Sequence, residues 1–254
     1  MPANSNLRLV ERAVDVLDVL AETGELTIAQ LAEQTGEPRS SLYRLIASLE
    51  KLEIVEPGVA KGGYRLGPHI IRLGAAAVDH IDVRTRALPA MQHLREEIGL
   101  TVYLCVRRQW HAVCIERVEG SRVSSLALTV GASQPLHAGA APRALLAFES
   151  TDVWDAYLSH GELERLTDKT PVDATKLLQV LRRESKNGYT LSDGDVTPGI
   201  AAVGAPVIDH QGTTQGAISV SGLRDDVLGG NRRRTVDLVR ETAATVSRAM
   251  GSPA

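Results

Sequence analysis

The segment from Gly36 to Leu66 joins a helical repeat of apolar residues to two short strand-like runs. Its apolar residues recur at the i, i+3, i+4, i+7 spacing of one helix face: Leu42, Leu45, Ile46 and Leu49. The runs "EIVEP" and "GYRLG" follow, joined by the glycine-containing "GVAKG". We therefore expect a helix opened by Pro38, a residue suited to a first helical position, and then a hairpin.

Two helical patterns precede this segment. Residues Leu7–Thr23 carry apolar side chains at helical spacing. The run "TIAQLAEQTG" begins with a capping-box spacing between Thr27 and Gln30 and closes at Gly36. Three short helices followed by a hairpin describe a winged helix-turn-helix, with the wing at Pro57–Leu66.

The polar face of the third helix has no acidic residue between Pro38 and Leu49. A solvated face usually mixes both charge signs, so this face is suited to an anionic partner. The whole chain of 254 residues has a net charge of −3 and a pI near 6.2. Bulk charge therefore does not attract nucleic acid, and any contact must come from a local patch.

DNA offers distinct donor and acceptor patterns in its major groove, and this polar face can read them. Arg44 is the candidate for a guanine edge because its guanidinium is a planar donor fork. The short donors Ser40 and Ser41 are assigned to phosphates or base edges, and Arg39 and Tyr43, on the flank of the helix, to the DNA backbone. On the wing, Lys61 and Arg65 are candidates for phosphate or the minor groove. For each of these residues the alternative is plain solvent exposure.

The rest of the chain predicts a connecting helix and a layered α+β domain. The alanine-rich run His69–Val83 reads as the connecting helix, and Pro89 as the start of another helix that ends at Gly99. "TVYLCVRR", "HAVCIERV" and "RVSSLALTV" predict an antiparallel meander, which "GIAAVGAPVID" and "QGAISVSG" extend. Further helices are expected at Pro142–Phe148, around Trp154, around Leu163, at Asp173–Lys186 and at Asn231–Met250.

Four stretches together resemble the IclR-type family of bacterial transcriptional regulators: "LRLVERAVDVLDVLAETG", "TIAQLAEQTGEPRSSLYRLIASLEKLEIVE", "LHAGAAPRALLAF" and "GYTLSDGDVTPGIAAVGAPVIDHQGTTQGAISVSG". The resemblance implies an α+β protein with a winged helix-turn-helix domain at 1–68, a linker helix at 69–83, and a GAF-like effector-binding and oligomerisation domain with an antiparallel sheet at 84–254. It also implies a homodimer or homotetramer that binds operator DNA and a small-molecule effector.

The glycine before the Pro142 helix leaves backbone N–H groups near Gly139 and Ala140 without partners, and such a helix start attracts carboxylates. An ordinary helix start is the alternative, but in the IclR-type pattern these two residues border the effector site. In "AISVSG", Ser219 and Ser221 share one strand face, so their hydroxyls are expected to line the cavity. Exposed strand serines are the alternative.

Two positions depart from family members that resemble sensors of small carboxylates. Those proteins have an acidic residue where this chain has Ser192, and a cysteine where it has Ala202. Both replacements remove polar or charged groups, so the identity of the ligand does not carry over. Asp193 and Asp195 could replace the missing acid, but a solvated loop is the expected place for both.

The expected function is a DNA-binding transcriptional regulator, a repressor, whose operator affinity is controlled by a small organic acid. The alternative is a ligand-sensing adaptor that does not bind DNA. The sequence has no "GxSxG", no phosphate-cradling glycine loop and no close-spaced metal set, so we expect no enzyme, no cofactor and no metal. No apolar run is long enough for a membrane span, which predicts a cytoplasmic protein.

Cys105 and Cys114 are expected as buried small hydrophobic residues in facing strands. A disulfide would require the register to place them opposite each other. A metal site with His111 and His137 is a further, weaker alternative because the spacing matches no metal motif.

Overall fold

The structure is a computed structural model that describes residues 3–79, 82–121 and 128–252. The chain divides into two compact units, Met1–His80 and Ile81–Ala254. Each unit has its own hydrophobic core, as separate domains do.

Among its described residues, the first unit has four helices and a small antiparallel sheet. The helices are α1 (Ala3–Thr23), α2 (Ile28–Thr35), α3 (Arg39–Lys51) and α4 (Pro68–Asp79). The strands are β1 (Leu26–Thr27), β2 (Val55–Pro57) and β3 (Gly63–Leu66), in the order β1-β3-β2. Strand β1 is too short to leave a periodic signal, and the sequence did not predict it.

The predicted capping box of α2 is present. The Thr27 side chain accepts from the Gln30 N–H while the Gln30 side chain accepts from the Thr27 N–H, and Gly36 ends the helix in the left-handed conformation. Pro38 was expected to be the first helical residue, but it is the N-cap of α3 because its ψ of 135° is extended. The helix therefore begins one residue later than predicted, at Arg39. The apolar face of α3 packs into the core, where burial of a side chain such as Leu42 contributes about 1.5–3 kcal/mol.

The described part of the second unit forms a six-stranded antiparallel sheet between two helical layers. The strands are β4 (Thr101–Arg108), β5 (His111–Val118), β6 (Ser133–Pro135), β7 (Thr190–Asp193), β8 (Ile200–Ile208) and β9 (Thr214–Leu223), in the order β6-β5-β4-β9-β8-β7. The helices are α5 (Asp82–Ile98), α6 (Ala140–Ala147), α7 (Thr151–Ser159), α8 (Ala174–Asn187), α9 (Arg224–Leu228) and α10 (Arg232–Ala249).

The two faces of this sheet bury different cores. Helices α5 and α10 cover one face, where Ile218 and Val220 of β9 are buried. Helices α6, α7 and α8 contribute to the core on the other face. The alternation along β9 therefore places Ser219 and Ser221 on the α6 side of the sheet, as the period of a strand requires.

Several predicted elements differ from the structure. Helix α5 begins at Asp82, so Pro89 lies inside a helix rather than at its start, where it removes one backbone hydrogen bond. Val83, predicted in the linker helix, belongs to α5 and is buried in the core of the second unit. Residues 161–173, all described, form a loop and not the helix expected around Leu163. Most of the third predicted meander strand, residues 122–127, lies outside the described residues.

Cys105 and Cys114 are register partners on β4 and β5, both fully buried. Both are free thiols. The hydrogen bond between the two thiols, together with burial, raises the pKa of Cys105 well above its usual value. The structure therefore shows the two cysteines as buried, reduced side chains, as expected, and not as a disulfide.

Candidate DNA-binding surface and ligand pocket

The polar face of α3 is open to solvent. Arg39, Ser40, Tyr43 and Arg44 are exposed, and Ser41 is half-buried at the edge of the apolar face. Tyr43 exposes 59% of its surface although it is a large ring, which is unusual for a residue without a partner surface. The helix carries no acid in its first turn. The five predicted contact residues of α3 therefore lie on one accessible stretch of helix.

The wing is a tight hairpin between β2 and β3. Its turn is held by Glu25, whose carboxylate accepts from the N–H groups of Val59 at 3.0 Å and Ala60 at 2.7 Å. The closest approach is at Gly58 and Gly63, where an added Cβ would lie 2.2 Å from Glu25 side-chain atoms. Sequence reasoning missed Glu25 because its partners are 34 and 35 residues away.

The two basic residues predicted on the wing differ in their surroundings. Lys61 is exposed at the turn. Arg65 is exposed as well, but its guanidinium forms a 2.7 Å ion pair with Glu56 on the neighbouring strand. A phosphate group would have to compete with Glu56 for Arg65, whereas Lys61 has no such competitor among the described residues.

A small, partly open pocket of about 50 Å³ lies between the start of α6 and the sheet of the second unit. All six residues predicted for an effector site line it: Gly139, Ala140, Ser192, Ala202, Ser219 and Ser221. The remaining wall includes Tyr103, Leu128, Gln134, Val196, Thr197 and Ile200. The structure thus brings together residues that are more than 80 positions apart in the sequence.

The sheet supplies the floor of the pocket in two rows of register partners. One row joins Tyr103 to Ser219. The other runs from Ser221 through Ala202 to Ser192. Directly paired residues point to the same face of a sheet, so both rows face α6.

The start of α6 is occupied by a carboxylate of the protein itself. Asp195 accepts a hydrogen bond from the Gly139 N–H at 3.2 Å and another from the Ser192 hydroxyl. The expectation that the Gly139 N–H is unpartnered is therefore wrong. The expectation of a solvated loop is also wrong for Asp195, which exposes 4% of its surface. It is wrong for Asp193 as well, because this residue is the last one of strand β7, is partly exposed, and forms an ion pair with Arg224.

Arg143 of α6 anchors this carboxylate. Its guanidinium forms ion pairs with Asp195 and with Glu184 of α8, and all three side chains are buried. Burial raises the pKa of Asp195, but the charge of Arg143 and the hydrogen bonds from Ser192 and Gly139 outweigh it and hold that pKa below its usual value. Two carboxylates face one guanidinium, so the cluster carries an excess negative charge.

His137 fixes the segment that leads into α6. Its Nδ1 is 2.7 Å from the Tyr157 hydroxyl, and its Nε2 is 2.8 Å from the Glu164 carbonyl oxygen. Because a carbonyl only accepts, Nε2 carries the proton and Nδ1 accepts from Tyr157. Burial lowers the pKa of His137, although Glu164 opposes the effect. Both ring nitrogens are thus engaged, which argues against this histidine as a metal ligand.

A winged helix-turn-helix whose third helix exposes a polar face without acidic residues up to Leu49 is the DNA-binding domain of a transcriptional regulator. Two family models match the chain: "IclR helix-turn-helix domain" over residues 9–57 and "Bacterial transcriptional regulator IclR C-terminal" over residues 75–248. The chain therefore belongs to the IclR family, as its sequence patterns indicated.

Individual relatives agree with this assignment. The chain is 30% identical to the HTH-type transcriptional regulator KipR of Bacillus subtilis, with 96% of this chain and 97% of that protein covered. It is 27% identical to the HTH-type transcriptional repressor AllR of Escherichia coli, with 98% and 92% covered. A crystal structure of an IclR homolog from Microbacterium hydrocarbonoxydans, complexed with 4-hydroxybenzoate, shares the fold with a TM-score of 0.82 at 22% identity, covering 96% and 99%.

Two further observations concern the described residues only. None of their helices combines the length and apolar character that a membrane span requires. Nor do their His, Cys, Asp and Glu side chains form a group of three suited to a metal ion.

Proposed function

We propose that this regulator is a repressor that binds operator DNA through α3 and the wing, and that an organic acid in the pocket of the second unit controls its operator affinity. The observation that carries the proposal is the exposed α3 face. It presents Arg44 and its neighbours without an acidic residue among them. Side chains at such positions are suited to base edges and phosphates of the major groove.

The proposal that the protein represses rather than activates transcription is based on one of its relatives. The AllR protein, a repressor, aligns with nearly the whole of this chain. A protein of the same architecture represses when its operator overlaps the promoter and activates when its operator lies upstream. We adopt repression, and mapping the operator against the promoter tests it.

We propose a homodimer or homotetramer reading a pseudo-palindromic operator. Supporting this, α1 exposes Leu9, Val10 and Val14, and α4 exposes Ile71 and Leu73, each by 48% or more. Large apolar residues exposed together favour a protein partner over solvent. A second copy related by two-fold symmetry would repeat the reading helix at half-sites about one helical turn, or a multiple, apart.

The effector proposal rests on the pocket. Its wall mixes hydroxyl groups of Ser219 and Ser221 with apolar side chains, as small-molecule sites do. A protein of the same fold carries 4-hydroxybenzoate in its crystal structure. By extension we assign the three helices and the wing of the first unit to DNA binding, helix α4 to the linker, and the unit that begins with α5 to effector binding and oligomerisation. We place the protein in the cytoplasm and assign it no catalytic role.

The alternative is a ligand-sensing adaptor whose helix-turn-helix serves only dimerisation. An electrophoretic shift assay with the intergenic DNA upstream of its own gene separates the two. A regulator retards this DNA at nanomolar concentration in the presence of excess non-specific competitor, and Arg44→Ala weakens the complex. An adaptor gives no specific shift, and that outcome would contradict the proposal.

A further inference from the structure

We propose that the second unit has a further ligand site, separate from the pocket at the start of α6, and that this site takes a dicarboxylic acid with an apolar body. The site is a groove of about 380 Å³ between the end of α8, strand β8 and α10. The pocket at α6 is smaller, at about 50 Å³, and the two have no described lining residue in common. The inference therefore goes beyond the proposed function.

The floor of the groove is an edge of the sheet that the neighbouring strand leaves open. Within the described residues, β7 pairs with β8 only as far as Gly204, whereas β9 pairs with β8 as far as Ile208. The open stretch is poorly suited to a further strand, because Pro206 has no N–H and the N–H of Ile208 donates to the Ser247 hydroxyl at 2.9 Å. An occupant of the groove must therefore be recognised by side chains.

The wall of the groove leaves few polar side chains to a ligand. The Ser247 hydroxyl already accepts from Ile208 and donates to the Ala243 carbonyl at 2.8 Å. The other serine of the wall, Ser252, is not free either. Aromatic and small apolar side chains form another part of the wall: Phe148, Ala205 and Ala244. The polar side chains that remain for recognition are two arginines of α10.

Arg240 and Arg248 both line the groove and have no carboxylate partner. Neither forms an ion pair with a described residue, and the one hydrogen bond in this part of the chain is from Arg248 to the Thr245 hydroxyl at 2.9 Å. The Arg240 guanidinium lies against the end of α8, where a Cβ added to Gly188 would be 3.3 Å from its Nη2. Eight residues of helix separate the two Cα atoms by about 12 Å. The groove therefore offers two separate positions for anionic groups.

A small dianion fits this arrangement better than a second copy of the chain. Two copies docked face to face by two-fold symmetry would bring four arginines into one interface, where like charges repel. Because both arginines are exposed, a single ion pair with either of them stabilises a complex only weakly. A dicarboxylic acid pairs with both guanidinium groups, each a planar donor fork, and its carbon chain covers the apolar wall between them. The groove also has the size of a small-molecule site.

The test uses the full chain and isothermal titration calorimetry with suberate, which has two carboxylates, and octanoate, which has one. The wild type should bind suberate with a Kd below about 1 mM and octanoate at least fivefold more weakly. Arg240→Met and Arg248→Met should each weaken suberate binding at least fivefold, because each removes one ion pair and keeps the apolar stem. Arg232→Met, a change of an exposed arginine of α10 outside the groove, is the matched control and should stay within twofold.

Absence of suberate binding by the wild type would overturn the proposal, as would an equal loss in the Arg232→Met control. Loss of suberate binding in the Ser219→Val, Ser221→Val double variant would place the acid in the pocket at α6 instead. Ala244→Leu fills the groove without a change of charge, so it should abolish binding, and unchanged affinity would contradict the site. Sedimentation analysis completes the test, because a changed oligomeric state in Arg240→Met or Arg248→Met would identify the groove as an interface between copies.

Discussion

The backbone N–H of Gly139 donates to the carboxylate of Asp195, a residue 56 positions away in the sequence. This bond closes the start of α6 with an internal acid, and the Arg143 guanidinium holds that acid in place. In consequence the helix start is less available to an external carboxylate than its sequence suggests. The chemistry of the pocket is thus set by a contact between distant segments.

Replacing Arg44 by alanine should weaken operator binding by about 1–3 kcal/mol and have little effect on random DNA, because a bidentate contact to a base discriminates sequence. Fluorescence anisotropy with operator and scrambled duplexes measures both affinities. Arg108→Ala, which removes one positive charge from the second unit, is the control. Equal losses on both duplexes would show that Arg44 contacts only the backbone.

Lys61→Ala should weaken operator and random DNA alike and lower the slope of log affinity against log salt by about one, as expected for one lost phosphate contact. Arg65→Ala should have a smaller effect, because Glu56 already pairs with this guanidinium. Titrations at several salt concentrations give both slopes. A larger change in slope for Arg65→Ala than for Lys61→Ala would reverse this ranking.

Glu25→Ala should loosen the wing, because the N–H groups of Val59 and Ala60 lose their shared acceptor. Removing one negative charge would by itself strengthen DNA binding, so a weaker complex identifies the geometric effect. We expect operator affinity to fall several-fold while α3 stays folded. Amide hydrogen exchange at the two N–H groups is the direct measurement, and unchanged protection there would contradict this role.

His137 should make stability depend on pH. Its pKa is lowered in the folded protein, so the unfolded chain takes up the proton first, at about pH 6.5. The contribution is therefore complete above that pH and is lost as the pH falls through the folded pKa. Melting temperatures between about pH 7.5 and pH 5 should fall more steeply for the wild type than for His137→Gln. Parallel curves would mean that the histidine does not contribute.

Local patterns predicted much of the fold. The capping box of α2, the apolar face of α3 and the alternation along β9 depend on neighbouring residues only, and the structure contains all three. The prediction that a helix starts at Pro89 was wrong, because tertiary packing stabilises a helix that begins earlier and continues past this proline. Strand β7 and the partners of Glu25 and Asp195 involve distant segments, so no local signal reveals them.

In the pocket, too, some features could be predicted from the sequence and others could not. Its six predicted lining residues came from the family resemblance and from strand period, and the structure groups them around one cavity. The electrostatics of the cavity could not be predicted this way. Whether an aspartate next to a glycine-rich turn is solvated or buried depends on Arg143, which lies on a helix 52 residues away.

The most direct test of regulation by this pocket is an operator titration with and without an organic acid identified by thermal-shift screening, in wild type and in the Ser219→Val, Ser221→Val double variant. Valine keeps the size and strand preference of the site while removing its hydroxyls. Regulation through the pocket predicts that the acid changes wild-type operator affinity about tenfold, equivalent to about 1.4 kcal/mol of coupling. The double variant should bind ligand-free operator within twofold of wild type and lose the response. A double variant that responds as the wild type does would contradict the assignment of the pocket.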